Sequence, residues 1–257
     1  MPRIMTYNVH RCIGMDGRAD PRRVAEVIAW CKPDIVALQE LDVGRRRTGS
    51  IDQAHVIAHH LGMGFHFHPA IHVEEERYGD AILTSLPMRL IRAERLPGSP
   101  LLEPRGAIWA AVETDEAELQ IINTHLGLLA YERLMQVETL LGPRWAGHPS
   151  CRDPVILLGD FNVIRRSRVY RRLSNRLRDA QLGLHHRPWR TFPARMPMLR
   201  IDHIFCSPSV EVLSVDAPRA WPTRVASDHL PLVMDFRLAR GRTAADQEAL
   251  PQQKTLA

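Results

Sequence analysis

The sequence predicts a single mixed α/β domain that runs to about residue 238. Three observations predict it. Short apolar runs of strand length alternate with segments of helical spacing. No shift of composition and no internal repeat divides the chain. Several apolar runs stop at a carboxylate, an amide or an imidazole, which is how a sheet presents functional groups on a rigid scaffold.

The elements follow in order. Residues 3–9 run apolar to Asn8 and read as a first strand. Asp20 is placed to cap a helix with Pro21 at its first position, a favoured pairing. Pro33-Asp34 breaks that helix, and Ile35 to Leu38 is a buried-type strand with Glu40 at its end. A basic loop (Arg45 to Arg47) and a short helix near 52–61 come next. Residues 65–68, 81–84, 108–112 and 119–123 are strands, the last leading into Thr124-His125. Residues 130–142 have helical spacing. Val155 to Leu158 is a strand ending at Gly159-Asp160, and Ile201 to Phe205 and Leu232 to Phe236 are late strands. From Ala239 the patterning stops, and 239–257 is expected to be a disordered tail.

Composition narrows the class. A hydrophobic fraction of 45% and a charged fraction of 25% are those of an ordinary globular protein. No apolar run approaches the roughly 20 residues that span a bilayer, and the N-terminus shows no signal-peptide pattern. A cytoplasmic monomer is expected. Cys12, Cys31, Cys151 and Cys206 have neither zinc-site nor disulfide-framework spacing and read as reduced core thiols. The formal charge of +5 is nearly all arginine, since lysine occurs only at Lys32 and Lys254. Arginine suits bidentate phosphate contact, and composition bias explains the excess equally well.

The P-loop, zincin and nucleophile-elbow signatures are missing. What remains is the set of polar strand ends: Glu40, His125, Asp160, Asn162 and the Asp228-His229 pair. Asn, Asp and Glu are hard oxygen ligands suited to Mg²⁺ or Mn²⁺. Such an ion polarises a phosphoryl oxygen, and histidines supply proton transfer near neutral pH.

An ordered set of motifs runs along the chain from Thr6 onward. It comprises Thr6-Tyr7-Asn8, Asp34 to Glu40, Tyr78-Gly79-Asp80-Ala81-Ile82-Leu83, Glu103-Pro104-Arg105, Asn123-Thr124-His125, Gly159-Asp160-Phe161-Asn162, Arg200-Ile201-Asp202-His203 and Ser227-Asp228-His229. With this set the chain resembles the endonuclease/exonuclease/phosphatase superfamily. The resemblance implies a DNase I-like four-layer α/β sandwich, with two facing mixed β-sheets flanked by helices. It also implies roles. Asn8 and Glu40 would hold the metal with Asp228. Asp160 and Asn162 would position the attacking water and contact the phosphate. His229 would be the base, oriented by Asp202, with Asp160 the other candidate. His125 would bind the phosphate and serve the leaving side, with Glu76 or Asp80 as its partner, and Arg105 would contact a phosphate oxygen. Histidine at 125 is similar to the DNase I, sphingomyelinase and inositol-phosphatase branches rather than to the abasic-site branch.

Plainer readings stand beside these. Asp160 with Asn162 also fits an Asx turn. His203 should face away from Asp202 on a strand and is left out of the site. His55 and His59, one helical turn apart, lack a third ligand nearby. Arg165, Arg166, Arg168, Arg171 and Arg172 could face nucleic-acid phosphates or plain solvent. The functions in play are a phosphodiesterase acting on a lipid head group or other small diester, a nuclease, and a non-catalytic module. The retained polar set argues against the last.

Overall fold

Successive side chains on a strand point to opposite faces, and the strands of this chain send them into different cores. In the computed structural model, which describes residues 1–184 and 187–239, β1 (Arg3–Asn8) buries Ile4 on one face and Met5 and Tyr7 on the other. Strand β2 (Ile35–Val43) does the same with Ile35 and Ala37 against Val36 and Leu38. Strand β8 (Val155–Asp160) puts Ile156 and Leu158 on one side and Val155 and Leu157 on the other.

Three apolar layers therefore separate four structural ones. The first sheet has the order β11-β12-β1-β2-β4-β3, with β11 Val210–Asp216, β12 Leu232–Leu238, β4 Glu76–Thr84 and β3 Gly64–Val73. The second has the order β5-β6-β7-β8-β10-β9, with β5 Met88–Arg95, β6 Gly106–Glu113, β7 Glu118–His125, β10 Asp202–Cys206 and β9 Arg178–Asp179. The sheets share one apolar layer. Helices α1 (Pro21–Cys31) and α2 (Gln53–Leu61) cover the outer face of the first. Helices α3 (Ala130–Leu141) and α4 (Arg168–Ser174) cover the second. A last short helix, α5 (Trp221–Ala226), precedes β12. This is the expected four-layer sandwich of two mixed sheets flanked by helices.

Local rules account for the ends. Asp20 accepts the backbone N–H groups of Arg22 and Arg23 and caps α1 ahead of Pro21. All four cysteines are buried and free, as core thiols. Strands β5, β9 and β11 were not anticipated. β5 and β11 lie at sheet edges, where one side is wet and charged residues break the alternation. Strand β2 was expected to stop before Glu40, and it continues to Val43 through a bulge. Apart from Ala239, the expected tail lies outside the described residues.

The inter-sheet layer is not apolar throughout. Toward one end Thr6, Gln39 and Asn123 replace hydrocarbon, all fully buried. Asn123 on the second sheet donates to the Leu38 and Ala81 carbonyls of the first, both at 2.9 Å, and accepts from Gln39 Nε2 at 2.8 Å. Leu38 and Ala81 are the last paired residues before the bulge. Asn123 thus stitches the sheets together where the ladder is interrupted. Each buried group left without a partner costs about 1–3 kcal/mol. Asn123→Ala should therefore lower the unfolding free energy by about 3 kcal/mol or more, read from urea denaturation. A loss under about 1 kcal/mol would contradict the bridging role.

Candidate active site

Beyond this polar layer the sandwich opens onto a cluster assembled by strand direction. Strands β1, β7 and β8 run toward it and contribute their last residues, Asn8, His125 and Asp160. Strand β10 is antiparallel to β8 and contributes its first, Asp202, which pairs with Asp160 across the ladder. Asp80 comes from β4, antiparallel to β2. Arg105 directly precedes β6, and His229 lies just ahead of β12.

Glu40 reaches this face by the bulge. Alternation along β2 would send it outward with Val36 and Leu38. Instead Gln39 and Glu40 together oppose Asp80, and Glu40 takes a positive φ of 62°. Its carboxylate accepts from Asn8 Nδ2 at 3.0 Å, and Asp160 Oδ2 accepts from the same nitrogen at 3.0 Å. The His10 backbone N–H donates to Asn8 Oδ1 at 3.0 Å and fixes the amide's orientation.

The turn after β8 is also dictated locally. A Cβ at Gly159 would stand 1.8 Å from the Thr124 carbonyl oxygen, so no side chain fits there. Asp160 Oδ1 accepts from the Asn162 backbone N–H at 2.9 Å, and Asn162 sits at φ 51°, which Asn tolerates. The Asx turn is present and builds the site. It presents Asn162 Nδ2 to Leu126 O at 3.0 Å and to His125 Nε2 at 3.2 Å.

Two imidazoles flank Asp160. His229 Nδ1 lies 2.9 Å from Asp202 Oδ2 and its Nε2 lies 3.8 Å from Asp160 Oδ2. Thr191 Oγ1 donates to the same Asp202 oxygen, and the Phe192 ring packs on His229 with centroids 4.8 Å apart. Burial opposes charge on His229, but Asp202, Asp160 and Asp228 outweigh it and push its pKa up to about 10. His125 lies 3.5 Å from Asp160 through Nε2 and 3.3 Å from Arg105 Nη1 through Nδ1. Burial, then Arg105 and His229, hold it well below the usual range. It is a neutral imidazole with a donor at each nitrogen, Arg105 Nη1 at Nδ1 and Asn162 Nδ2 at Nε2. Burial pushes Asp160 up to about 7 and Asp80 up to about 8.

Glu76 binds the Arg45–Arg46 loop instead of His125. Asp80 lies beside the Glu40 backbone N–H and faces Arg105. Arg105 pairs with Glu103 and His125. Asp228 is more exposed and contacts Ser227 Oγ at 3.4 Å and His10 Nδ1 at 3.8 Å. His203 faces away, its Nε2 2.9 Å from Val163 O among Phe161, Tyr170 and Phe205. Sequence reasoning missed His10, Thr191, Phe192 and Ser227. Ser227 Oγ donates to Asn8 O at 2.8 Å and anchors the loop carrying His229. Only the position of Ser227 beside Asp228-His229 gave a signal.

Two groupings could hold a cation. Asp160, Asp202 and His229 bring possible ligand atoms within 4.8 Å of one another. There, however, the raised His229 already occupies the space between the carboxylates. Glu40 and Asp160 converge on one amide with hard oxygen donors. This second grouping fits Mg²⁺ or Mn²⁺ better.

The model of the endonuclease/exonuclease/phosphatase family matches residues 5–229. The chain belongs to this family. It is 27% identical to the Escherichia coli K12 protein YbhP, itself uncharacterized, over 92% of this chain and 96% of that one. A mannosyl-6-phosphatase of Bacteroides thetaiotaomicron VPI-5482 has the same fold, with a TM-score of 0.76 and 18% identity over 93% of this chain and 100% of that one. So does the human Nocturnin catalytic domain solved with a bound sulfate anion, with a TM-score of 0.69 and 23% identity over 92% and 93%.

The Asp202 contact generates a direct test. A carboxylate at hydrogen-bond distance shifts a partner by about 1–3 pKa units. In the metal-free chain, Asp202→Asn should lower the His229 pKa by at least about one unit, measured by imidazole NMR. An unchanged titration would remove Asp202 from its orienting role. The sign follows for stability. The folded pKa lies above the unfolded one, so the pair's contribution is full below about 6.5 and is lost as pH rises through about 10.

Proposed function

We propose that this chain is a divalent-metal-dependent phosphodiester hydrolase. The observation that carries the reading is the convergence of Glu40 and Asp160 on Asn8, next to an imidazole held by Asp202. Glu40 and Asp160 would hold Mg²⁺ or Mn²⁺, with Asn8 between them and Asp228 contributing from the His10 side. Such an ion polarises a phosphoryl oxygen and helps generate hydroxide.

The chain's own groups divide the rest. Asp202 occupies His229 Nδ1, so Nε2 is the atom that exchanges a proton near Asp160. Its pKa is held high partly by Asp160, so neutralising that carboxylate brings Nε2 toward the range of a base. The neutral His125 and Asn162 bind phosphate oxygens, with the buried Arg105 cation behind them. Thr191 and Phe192 fix the His229 ring.

A nuclease is the second reading. The arginines that follow Asn162 in sequence favour it.

EDTA should abolish hydrolysis of bis-p-nitrophenyl phosphate, and Mg²⁺ or Mn²⁺ should restore it. Full activity in EDTA would sink the reading. His229→Ala and Asp160→Ala should each slow turnover at least about a hundredfold, the scale of a proton-transfer group. A near-normal rate in either variant would remove that residue from the chemistry. A panel of plasmid DNA, RNA, phospholipids, sphingomyelin and inositol phosphates, with each metal in turn, separates the substrate classes.

A further inference from the structure

Four loops frame the mouth of the site, and each begins or ends at one of its residues. Residues 97–104 lead into Arg105, 126–129 follow His125, 161–167 follow Asp160, and 190–201 lead into Asp202. They are tied to the site and to one another. Asn162 Nδ2 donates to Leu126 O at 3.0 Å, the Ser99 backbone N–H donates to Glu132 of α3 at 3.0 Å, and the Ala194 N–H donates to Asp228 O at 2.6 Å.

Each loop exposes a large apolar side chain: Leu101 at 92%, Leu128 at 69%, Ile164 at 53% and Met196 at 65%. Single exposed apolar residues need no explanation, but a set concentrated around one mouth does. The same rim is basic. The four loops carry Arg165, Arg166, Arg190, Arg195 and Arg200 against one acidic residue, Glu103, which is paired with Arg105. On the adjoining α3, Glu132 is buried and Glu138 is paired with Arg172. A single-stranded nucleic acid is held by basic groups and stacking aromatics, whereas the exposed apolar side chains of these loops are aliphatic. Aliphatic residues interleaved with arginine match the interface of an anionic bilayer, where apolar groups enter the acyl boundary and guanidinium groups meet lipid phosphates.

We propose that this rim seats the chain on an anionic phospholipid surface, with the site turned toward the head-group phosphodiesters. The docking stands on the rim alone. The choice of a phospholipid diester as substrate rests on the phosphodiesterase reading above.

The test uses the full chain and two variants, Leu128→Ser/Ile164→Ser and Arg165→Glu/Arg166→Glu. Co-sedimentation is measured with vesicles of phosphatidylcholine alone and with 30 mol% phosphatidylglycerol (roughly the anionic charge that draws polybasic segments to a leaflet). The wild type should pellet with the anionic vesicles only. Both variants should bind them at least about tenfold more weakly, with soluble bis-p-nitrophenyl phosphate hydrolysis unchanged. Wild type that stays in the supernatant, or a serine variant that pellets as well as wild type, overturns the proposal. So does a duplex oligonucleotide that binds the chain when the anionic vesicles do not, or a wild-type dimer that the serine variant dissociates without any vesicle binding. Vesicle binding with no hydrolysis of any diester would keep the docking and defeat the catalytic reading, so the two fail separately.

Discussion

Holding a residue with a side chain in the left-handed region costs about 1–2 kcal/mol, yet β2 holds Glu40 there. The bulge that imposes this conformation turns the carboxylate from the helix-covered face to the face shared by the sheets. Everything else in the metal-holding reading depends on that turn. Asn8 would lose the Glu40 carboxylate that it holds together with Asp160 if β2 kept its alternation. The surrounding contacts hold the bulge in place. Asp80 lies beside the Glu40 N–H, and Asn123 takes up the carbonyls beside the interrupted ladder. Strain retained at one point by its neighbours is a common property of working sites.

The second determinant is strand direction. Two mixed sheets face each other, so parallel and antiparallel strands deliver opposite ends of their sequences to one place. The inter-sheet layer changes along its length from Ile4, Ile121 and Ile156 through Thr6, Gln39 and Asn123 to Asn8, His125 and Asp160. The hydrocarbon end supplies rigidity and excludes water. The polar end gathers charge in a place where burial raises Asp160 and Asp80 and lowers His125. Opposite shifts on neighbouring groups divide acid from base.

Much of this was legible in the sequence. Buried strands such as Val155 to Leu158 announce themselves by composition, and Asp20 with Pro21 marks the start of α1. The residues that meet at the site were visible as polar strand ends, and the family's ordered motifs gave them company. The bulge was not visible. Nothing in Leu38-Gln39-Glu40-Leu41 distinguishes a strand that ends from one that kinks, since the kink is stabilised by Asn123 and Asp80, distant in sequence. Thr191 and Phe192 were missed for a related reason. They sit in a loop with no periodicity, and only the folded chain brings them to Asp202 and His229. Edge strands β5 and β11 escaped because one side of each is wet.

The account turns on Glu40 acting as a metal ligand from its bulge. Isothermal titration of the EDTA-stripped chain with Mn²⁺, for wild type and Glu40→Gln, tests this most directly. Loss of a direct ligand should weaken binding no less than the about 10–100-fold that follows loss of an outer partner, with the folded state retained by circular dichroism. Equal Mn²⁺ affinity in the two proteins would contradict it.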